Sequence, residues 1–252
     1  LNIDESLLEK VDEPSAICAT HVFGNPCNVD RIETLRKKHG LKVIYDGAHA
    51  FGVNYNGESI LNHGDISTLS FHATKVFHTI EGGALVINDD VLASKARIAI
   101  NFGISGEDKI GTLGVNYKMN EIQAAMGLAG LNYISVNYNK RKILSETYWD
   151  SLKPTVKYQK WADGASNNYS YMPVIFESES KLLLVKENLK KVKINIRRYF
   201  YPSLSTLEFL GDHPSSCHHA DDISRRIACL PLYVDLTVED VKFISREINK
   251  WI

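Results

Sequence analysis

Two short apolar runs, Ser15 to Thr20 and Leu41 to Tyr45, bracket an amphipathic stretch from Val29 to His39, and this arrangement constrains the chain more than any other feature. A strand, a helix with one apolar stripe and a second strand predict a βαβ unit. Gly40 follows the basic run Arg36-Lys37-Lys38-His39. A glycine stop preceded by cations at the negative end of the helix dipole predicts that the helix ends there. Ile66 to Phe71 and Ala84 to Ile87 predict two more strands, and Asp89-Asp90 begin a helix, Val91 to Ile100, with acids at its positive end.

Lys118 to about Trp149 contains no proline and repeats apolar residues at helical spacing, among them Ile122, Ala125, Met126, Ala129 and Leu131. This predicts one long helix or two joined ones, with Gly127 and Gly130 as weak points. The domain boundary falls inside it, giving residues 1–130 and residues 131–252. Pro154 ends the helical region. The remainder reads as a strand (Tyr171 to Phe176), a helix (Ser178 to Lys190), a strand (Asn195 to Tyr199), an irregular polar segment and a closing helix (Val238 to Trp251). That alternation predicts a small α/β layer.

At 252 residues the chain can hold one large or two modest domains. With 44% hydrophobic and 23% charged residues it is of globular type, and a net charge of −1 implies neither a nucleic-acid partner nor a membrane surface. No apolar run approaches the roughly 20 residues of a membrane span, and the N-terminus lacks a basic region followed by an apolar one, so a cytoplasmic protein is expected. Cys18, Cys27, Cys217 and Cys229 show no Cys-x-x-Cys spacing and read as reduced, buried thiols.

Lys75 lies in the run Ser70-Phe71-His72-Ala73-Thr74-Lys75, with Glu81-Gly82-Gly83 just downstream, and Asp46 closes the apolar run Val43-Ile44-Tyr45. Taken singly, such a lysine is an ordinary surface residue and such an aspartate a turn former. Together they suggest a pyridoxal phosphate site. A Schiff-base lysine needs a low-dielectric pocket to lower its amine pKa, and the pyridine ring needs an ionised acid against its nitrogen to act as an electron sink.

The joined segments Val43 to Gly52, Gly64 to Phe71, Lys75 and Glu81 to Ala84 resemble the DegT/DnrJ/EryC1/StrS family of pyridoxal phosphate-dependent aminotransferases, which act on keto groups of nucleotide-linked sugars. His21-Val22-Phe23-Gly24-Asn25-Pro26 is similar to the family's strand and turn before its second helix. Gly114 to Ala125 is similar to its Asn-x-Arg-Met helix start, and Leu230-Pro231-Leu232-Tyr233 with Leu236 to Asp240 continues the likeness. The resemblance covers nearly the whole chain. It implies fold type I, with part of a large parallel or mixed-sheet domain followed by a small C-terminal α/β domain.

The resemblance implies a role for each matching residue. Lys75 would carry the cofactor and shuttle the proton, and its retention, where related dehydratases have histidine, favours transamination. Asp46 would hold the pyridine nitrogen protonated. His49 would touch the phenolic oxygen or, on its residue type alone, be a core histidine; Ala48 would pack on a ring face. Ser70 would donate to the phosphate, as would Asn116 from a neighbouring subunit, which implies a homodimer with shared sites. Lys118 departs from the family's arginine and loses a planar bidentate donor. Arg197, Arg198, Tyr199 and Tyr201 resemble the lining of a sugar-nucleotide entrance, in a form like that of aminotransferases making 4-amino-4,6-dideoxy sugars from dTDP-linked ketosugars for polysaccharide biosynthesis. Read from residue type, the same segment is equally a strand edge with solvated arginines. Glutamate is the amino donor the family implies.

The chain opens on sequence that in the family follows the first third of the large domain. The phosphate cradle and the ring-stacking aromatic of that third are therefore expected outside it, and weak cofactor binding by this chain alone is expected with them. A second reading, in another class, is a non-catalytic partner or regulatory subunit that keeps the fold without the cofactor. Cys217-His218-His219, with His213 close by, could suggest a metal; adjacent histidines in a polar run rarely converge, so a surface loop and no metal are expected. His72 and His78 flank the lysine without an assigned role.

Overall fold

The computed structural model describes residues 1–11, 14–211 and 217–252. The chain forms two compact units, Asn2–Ile134 with Trp161–Asn168, and Ser135–Lys160 with Tyr169–Ile252. The excursion of Trp161–Asn168 into the first unit is not part of the sequence reading.

In the first unit a short helix, α1 (Glu5–Leu8), precedes strand β1 (Ala16–Thr20), helix α2 (Val29–His39) and strand β2 (Lys42–Asp46). β1 and β2 pair in parallel, as the βαβ spacing predicts. Asn28 caps α2 by accepting from the Arg31 amide, and Gly40 stops it in the left-handed conformation, φ 66°. The helix buries Val29, Ile32 and Leu35, the first two in one core with Ile17, Ala19, Val43 and Tyr45 of the two strands. Because strand side chains alternate, Cys18 faces the other way and is exposed. Cys217 is exposed too, so only Cys27 and Cys229 are the buried thiols expected of all four.

An antiparallel hairpin follows, β3 (Asn54–Tyr55) and β4 (Glu58–Ser59), turned by Asn56 and Gly57 at φ 49° and 88°. Strand β5 (Ile66–Ser70) then pairs parallel to β2, and β6 (Gly83–Val86) antiparallel to β5, completing a mixed sheet of order β1-β2-β5-β6. Helix α3 (Asp90–Ile100) is capped by Asp89. A second hairpin, β7 (Ile104–Gly106) and β8 (Lys109–Ile110), leads to helix α4 (Glu121–Leu131), which opens on a capping box between Asn120 and Gln123.

Helix α5 (Ile134–Ser151) begins after a break at Asn132 and Tyr133, not at Gly127 or Gly130. Gly127 is instead a packing device: a Cβ there would stand 2.8 Å from Thr79 Cγ2, so its absence lets α4 approach the chain at Phe77 to Thr79.

The second unit packs α5, β9 (Pro173–Ile175), α6 (Glu179–Lys191), α7 (His218–Arg226), β10 (Ile227–Cys229) and α8 (Val238–Asn249). Its core joins Leu144, Tyr148, Val174, Leu182, Val185, Ile244 and Ile248. β9 pairs antiparallel with β10. The strand expected over Asn195 to Tyr199 is absent: only Arg197 bridges to β10, exchanging two backbone bonds with Cys229. The expected irregular segment contains the helix α7, closed by an ion pair of Arg226 with Asp222 one turn earlier. No helix among the described residues is long and apolar enough to cross a membrane.

Two histidines lie inside the first unit. His21 stacks on Tyr45 at 4.8 Å and accepts from the Cys27 amide through Nδ1. Burial, and to a lesser degree His63, pushes its pKa from 6.5 to about 4. Burial, then the charge of Lys75, pushes His49 from 6.5 to about 3. Each group binds its proton less readily when folded, so its stabilisation is complete above pH 6.5 and is lost as pH falls toward the folded values. At about 1.4 kcal/mol per pK unit the loss on going from pH 7 to about 4.5 should be a few kcal/mol. Urea midpoints across this window should fall, and His49→Gln should flatten the slope; a midpoint independent of pH would contradict the burial of these rings. Separately, Gly127→Val should cost about 1–3 kcal/mol through overpacking. Gly130→Ala, whose Cβ would come no closer than 3.8 Å to Phe77, should stabilise by up to about 1 kcal/mol. Equal melting temperatures for the two variants would refute the packing role.

Candidate active site

The parallel ladder sets Thr20 opposite Asp46 and Asp46 opposite Thr68, so β1, β2 and β5 end at one edge of the sheet. Ligands of α/β sheets bind outside this carboxyl edge, where loops leave the strands and backbone amides are free to turn. Asp46 is the last residue of β2. Its Oδ1 accepts from the Ala48 amide at 3.0 Å, and Thr20 Oγ1 lies 3.5 Å from Oδ2. Its carbonyl accepts from the His21 amide at 3.0 Å, which ties the loop after β1 to the end of β2. Gly47 is required here, since a Cβ would meet the Thr68 carbonyl oxygen at 2.9 Å. The turn closes with the Ala50 amide donating to Gly47 at 2.7 Å. This delivers the half-buried Ala48 and the buried His49 next to the carboxylate.

Lys75 stands on the turn after β5, its amide donating to the His72 carbonyl at 2.9 Å. Three aromatics brace that turn. Phe77 stacks on Phe51 at 4.4 Å and meets Phe71 edge-on at 4.9 Å, and Phe51 meets Phe71 edge-on at 6.0 Å. The lysine is half-buried, and its charge bears on His49. Ser70, also half-buried, accepts from the His72 amide at 3.4 Å. His72 faces Thr74 at 2.8 Å and Glu81 at 3.6 Å, on the exposed side of the turn.

Four of the expected residues, Asp46, His49, Ser70 and Lys75, thus belong to loops and strand ends at one sheet edge, with Ala48 between the first two. The set comprises a carboxylate with a backbone amide on it, an imidazole held neutral, hydroxyls at two strand ends and a lysine on a turn braced by aromatic rings. That chemistry fits a protonated pyridine ring with an aldehyde substituent. Asn116 lies elsewhere in the first unit, exposed, bridging Asn101 and accepting from Lys118 Nζ at 2.7 Å. With Gly82, Gly83, Arg97 and Lys118 it lines a cavity of about 730 Å³. Lys118 Nζ sits 3.8 Å over the ring of Phe102, a cation–π contact in place of the arginine's planar fork.

The remaining candidates are in the second unit, and the two arginines there differ. Arg197 is exposed, with its guanidinium 4.3 Å over Tyr199. Arg198 is engaged by its own unit: Nη2 pairs with Glu179 at 2.5 Å and donates to the Arg225 carbonyl at 2.9 Å, and the guanidinium covers Tyr201 at 3.4 Å. Arg197 is therefore an exposed arginine beside β10, as the strand-edge reading expects, whereas Arg198 is not solvated in that way. Cys217, His218 and His219 are exposed at the start of α7, a helix and not the expected loop, and His213 lies outside the described residues. No group of three metal-ligating side chains occurs among the described residues.

Sequence reasoning missed Thr20, Phe23 and Asn168. The Phe23 amide donates to His49 Nδ1 at 3.1 Å, and the Asn168 amide donates to the carbonyls of His49 and Phe51. The segment His21 to Pro26 was readable as a turn, and its left-handed Phe23 and Gly24 are what bring it onto His49.

The sequence matches the profile of the DegT/DnrJ/EryC1/StrS aminotransferase family over residues 1–249. It is 36% identical over 244 residues to a dTDP-4-amino-4,6-dideoxy-D-glucose transaminase of Shigella dysenteriae, covering 94% of this chain and 66% of that protein. An Escherichia coli transaminase of the same name is 35% identical, with 97% and 69% covered. Among solved structures, DesI in the presence of its TDP-sugar product superimposes with a TM-score of 0.91 at 29% identity, over 99% of this chain and 66% of that one. The chain spans about two thirds of the length of these relatives. It has the α/β architecture of fold type I, and it belongs to the DegT/DnrJ/EryC1/StrS aminotransferase family.

Proposed function

We propose that this chain carries the pyridoxal phosphate-binding residues of a nucleotide-sugar aminotransferase, one that transfers an amino group from glutamate to the keto group of a dTDP-linked deoxy sugar. The observation that carries this reading is the convergence of Asp46, His49 and Lys75 at the carboxyl edge of the sheet. The likeness to the two dTDP-sugar transaminases supports the nucleotide and the sugar class. In this family the cofactor is pyridoxal 5′-phosphate, which supplies an electron sink for breaking the bond to a proton on the amine-bearing carbon.

Asp46 keeps a ring nitrogen protonated, its Oδ1 already oriented by the Ala48 amide. Lys75 would hold the cofactor through Nζ, and the same amine, when free, would act as the base and acid that moves the proton. Ser70 donates its hydroxyl to the phosphate. A second copy of the chain brings Asn116 to the same group, which makes the active species a homodimer. Support for self-association comes from apolar residues exposed after the second hairpin and along α4: Leu113, Ile122 and Leu128 are 94%, 77% and 69% accessible. Arg197, Tyr199 and Tyr201 meet the pyrophosphate and base, while Arg198 holds that segment against Glu179 and Arg225. Residues 1–130 act as the cofactor-binding part and residues 131–252 as the connecting helix and small domain. Reduced thiols and this substrate class agree with a cytoplasmic enzyme.

Lys75→Ala should abolish amine transfer in single-turnover assays with glutamate while leaving the circular dichroism unchanged; retained transfer would refute the assignment. Asp46→Asn should lose roughly 10²–10⁴-fold in rate, because an amide cannot hold the ring nitrogen protonated, and Asp46→Glu far less. Equal rates for the two would make the carboxylate structural.

A further inference from the structure

His49 is held from two distant parts of the chain, its ring by the Phe23 main-chain amide and its backbone carbonyl by the Asn168 side chain. Phe23 donates its amide proton to Nδ1 at 3.1 Å and lays its ring parallel to the imidazole at 6.0 Å. A backbone amide can only donate, so Nδ1 carries no proton, and in the neutral ring the proton belongs to Nε2. The opposite tautomer would set two N–H groups against each other inside the fold.

The geometry depends on close approach. Phe23 and Gly24 are left-handed, at φ 59° and 87°, and a Cβ on Gly24 would stand 2.7 Å from the His49 carbonyl oxygen. That carbonyl accepts from Asn168 Nδ2 at 2.8 Å, and the Phe51 carbonyl accepts from the same nitrogen at 2.9 Å. Asn168 is 1% exposed. It therefore clamps the backbone on both sides of Ala50, and the turn carrying His49 cannot slide away from the Phe23 amide without orphaning a buried amide.

We infer that Asn168 is a positioning residue of the cofactor site: with the Phe23 amide it fixes His49 as the neutral Nε2–H tautomer, so that the imidazole offers a donor, not an acceptor, beside Lys75. This deepens the proposed function and rests on it for the identity of the ligand. A donor there suits an anionic phenolic oxygen on the cofactor ring, whereas an acceptor would repel it. Burial and the Lys75 charge keep the ring from becoming an imidazolium in the working range of pH. Neither Asn168 nor Phe23 need touch the cofactor for this effect, which is the way outer partners orient a functional histidine elsewhere.

Side-chain ¹⁵N NMR of the 252-residue chain at pH 7, before any cofactor is added, reads the tautomer directly. The expected result is a protonated-type nitrogen at Nε2 and an acceptor-type nitrogen at Nδ1. A protonated Nδ1, or a charged ring, would overturn the inference whether or not pyridoxal phosphate binds. A chain with the expected tautomer that fails to take the cofactor would instead count against the proposed function. Asn168→Asp, which replaces both amide protons with acceptors, should mix the tautomers, speed hydrogen exchange of the Phe23 amide and weaken pyridoxal phosphate binding by about tenfold. If that variant does not fold, Asn168→Ser should show the same three changes to a smaller extent. A folded variant with the tautomer, the exchange rate and the affinity unchanged would remove Asn168 from the site.

Discussion

The parallel register that sets Thr20, Asp46 and Thr68 side by side is the constraint on which the rest of the first unit depends. It brings three strand ends to one edge, and every candidate catalytic group of that unit except Asn116 is on a strand end or in the loop that follows one. A slip of one residue between β2 and its neighbours would turn Asp46 to the face where α2 packs and would bury a carboxylate among Val29, Ile32 and Leu35. The hydrophobic face of β2, Val43 and Tyr45, opposes such a slip. The core and the site are thus set by the same alternation.

Around this edge the fold places titratable groups in contrasting surroundings. Asp46 accepts from an amide and lies near a hydroxyl at the open end of its strand, whereas His49 is enclosed and set near a lysine, which disfavours its charged form. Opposed environments for neighbouring groups are how a site assigns distinct tasks at one pH. The aromatic trio of Phe51, Phe71 and Phe77 contributes shape, since it anchors the turn on both sides of Lys75.

Much of this was legible in the sequence because it is local. The βαβ unit announces itself through periodicity, a basic last turn and Gly40, and Asp46 and Lys75 each follow a recognisable strand. The departures have physical causes. Arg197 makes the backbone pairing of a strand at a single residue, so the alternation over Asn195 to Tyr199 had no ladder to serve. Helix α7 buries only Ser224 and is closed by a charge pair, leaving no apolar stripe to read. Asn132 and Tyr133 are not helix breakers; the break there belongs to the division of the chain into two units, a tertiary property. Asn56-Gly57 is a strong hairpin signal that the reading passed over. The Asn168 clamp acts on residues more than a hundred positions away, and no spacing rule reaches so far.

The central claim, that Lys75 is the amine which takes the cofactor at this edge, is tested most directly by incubating the chain with excess pyridoxal phosphate, reducing with borohydride and mapping the modified peptide by mass spectrometry. The account predicts phosphopyridoxyl label concentrated on the peptide containing Lys75, with Asp46→Asn lowering its yield. Label spread over exposed lysines such as Lys118 and Lys37, with none on Lys75, would contradict it.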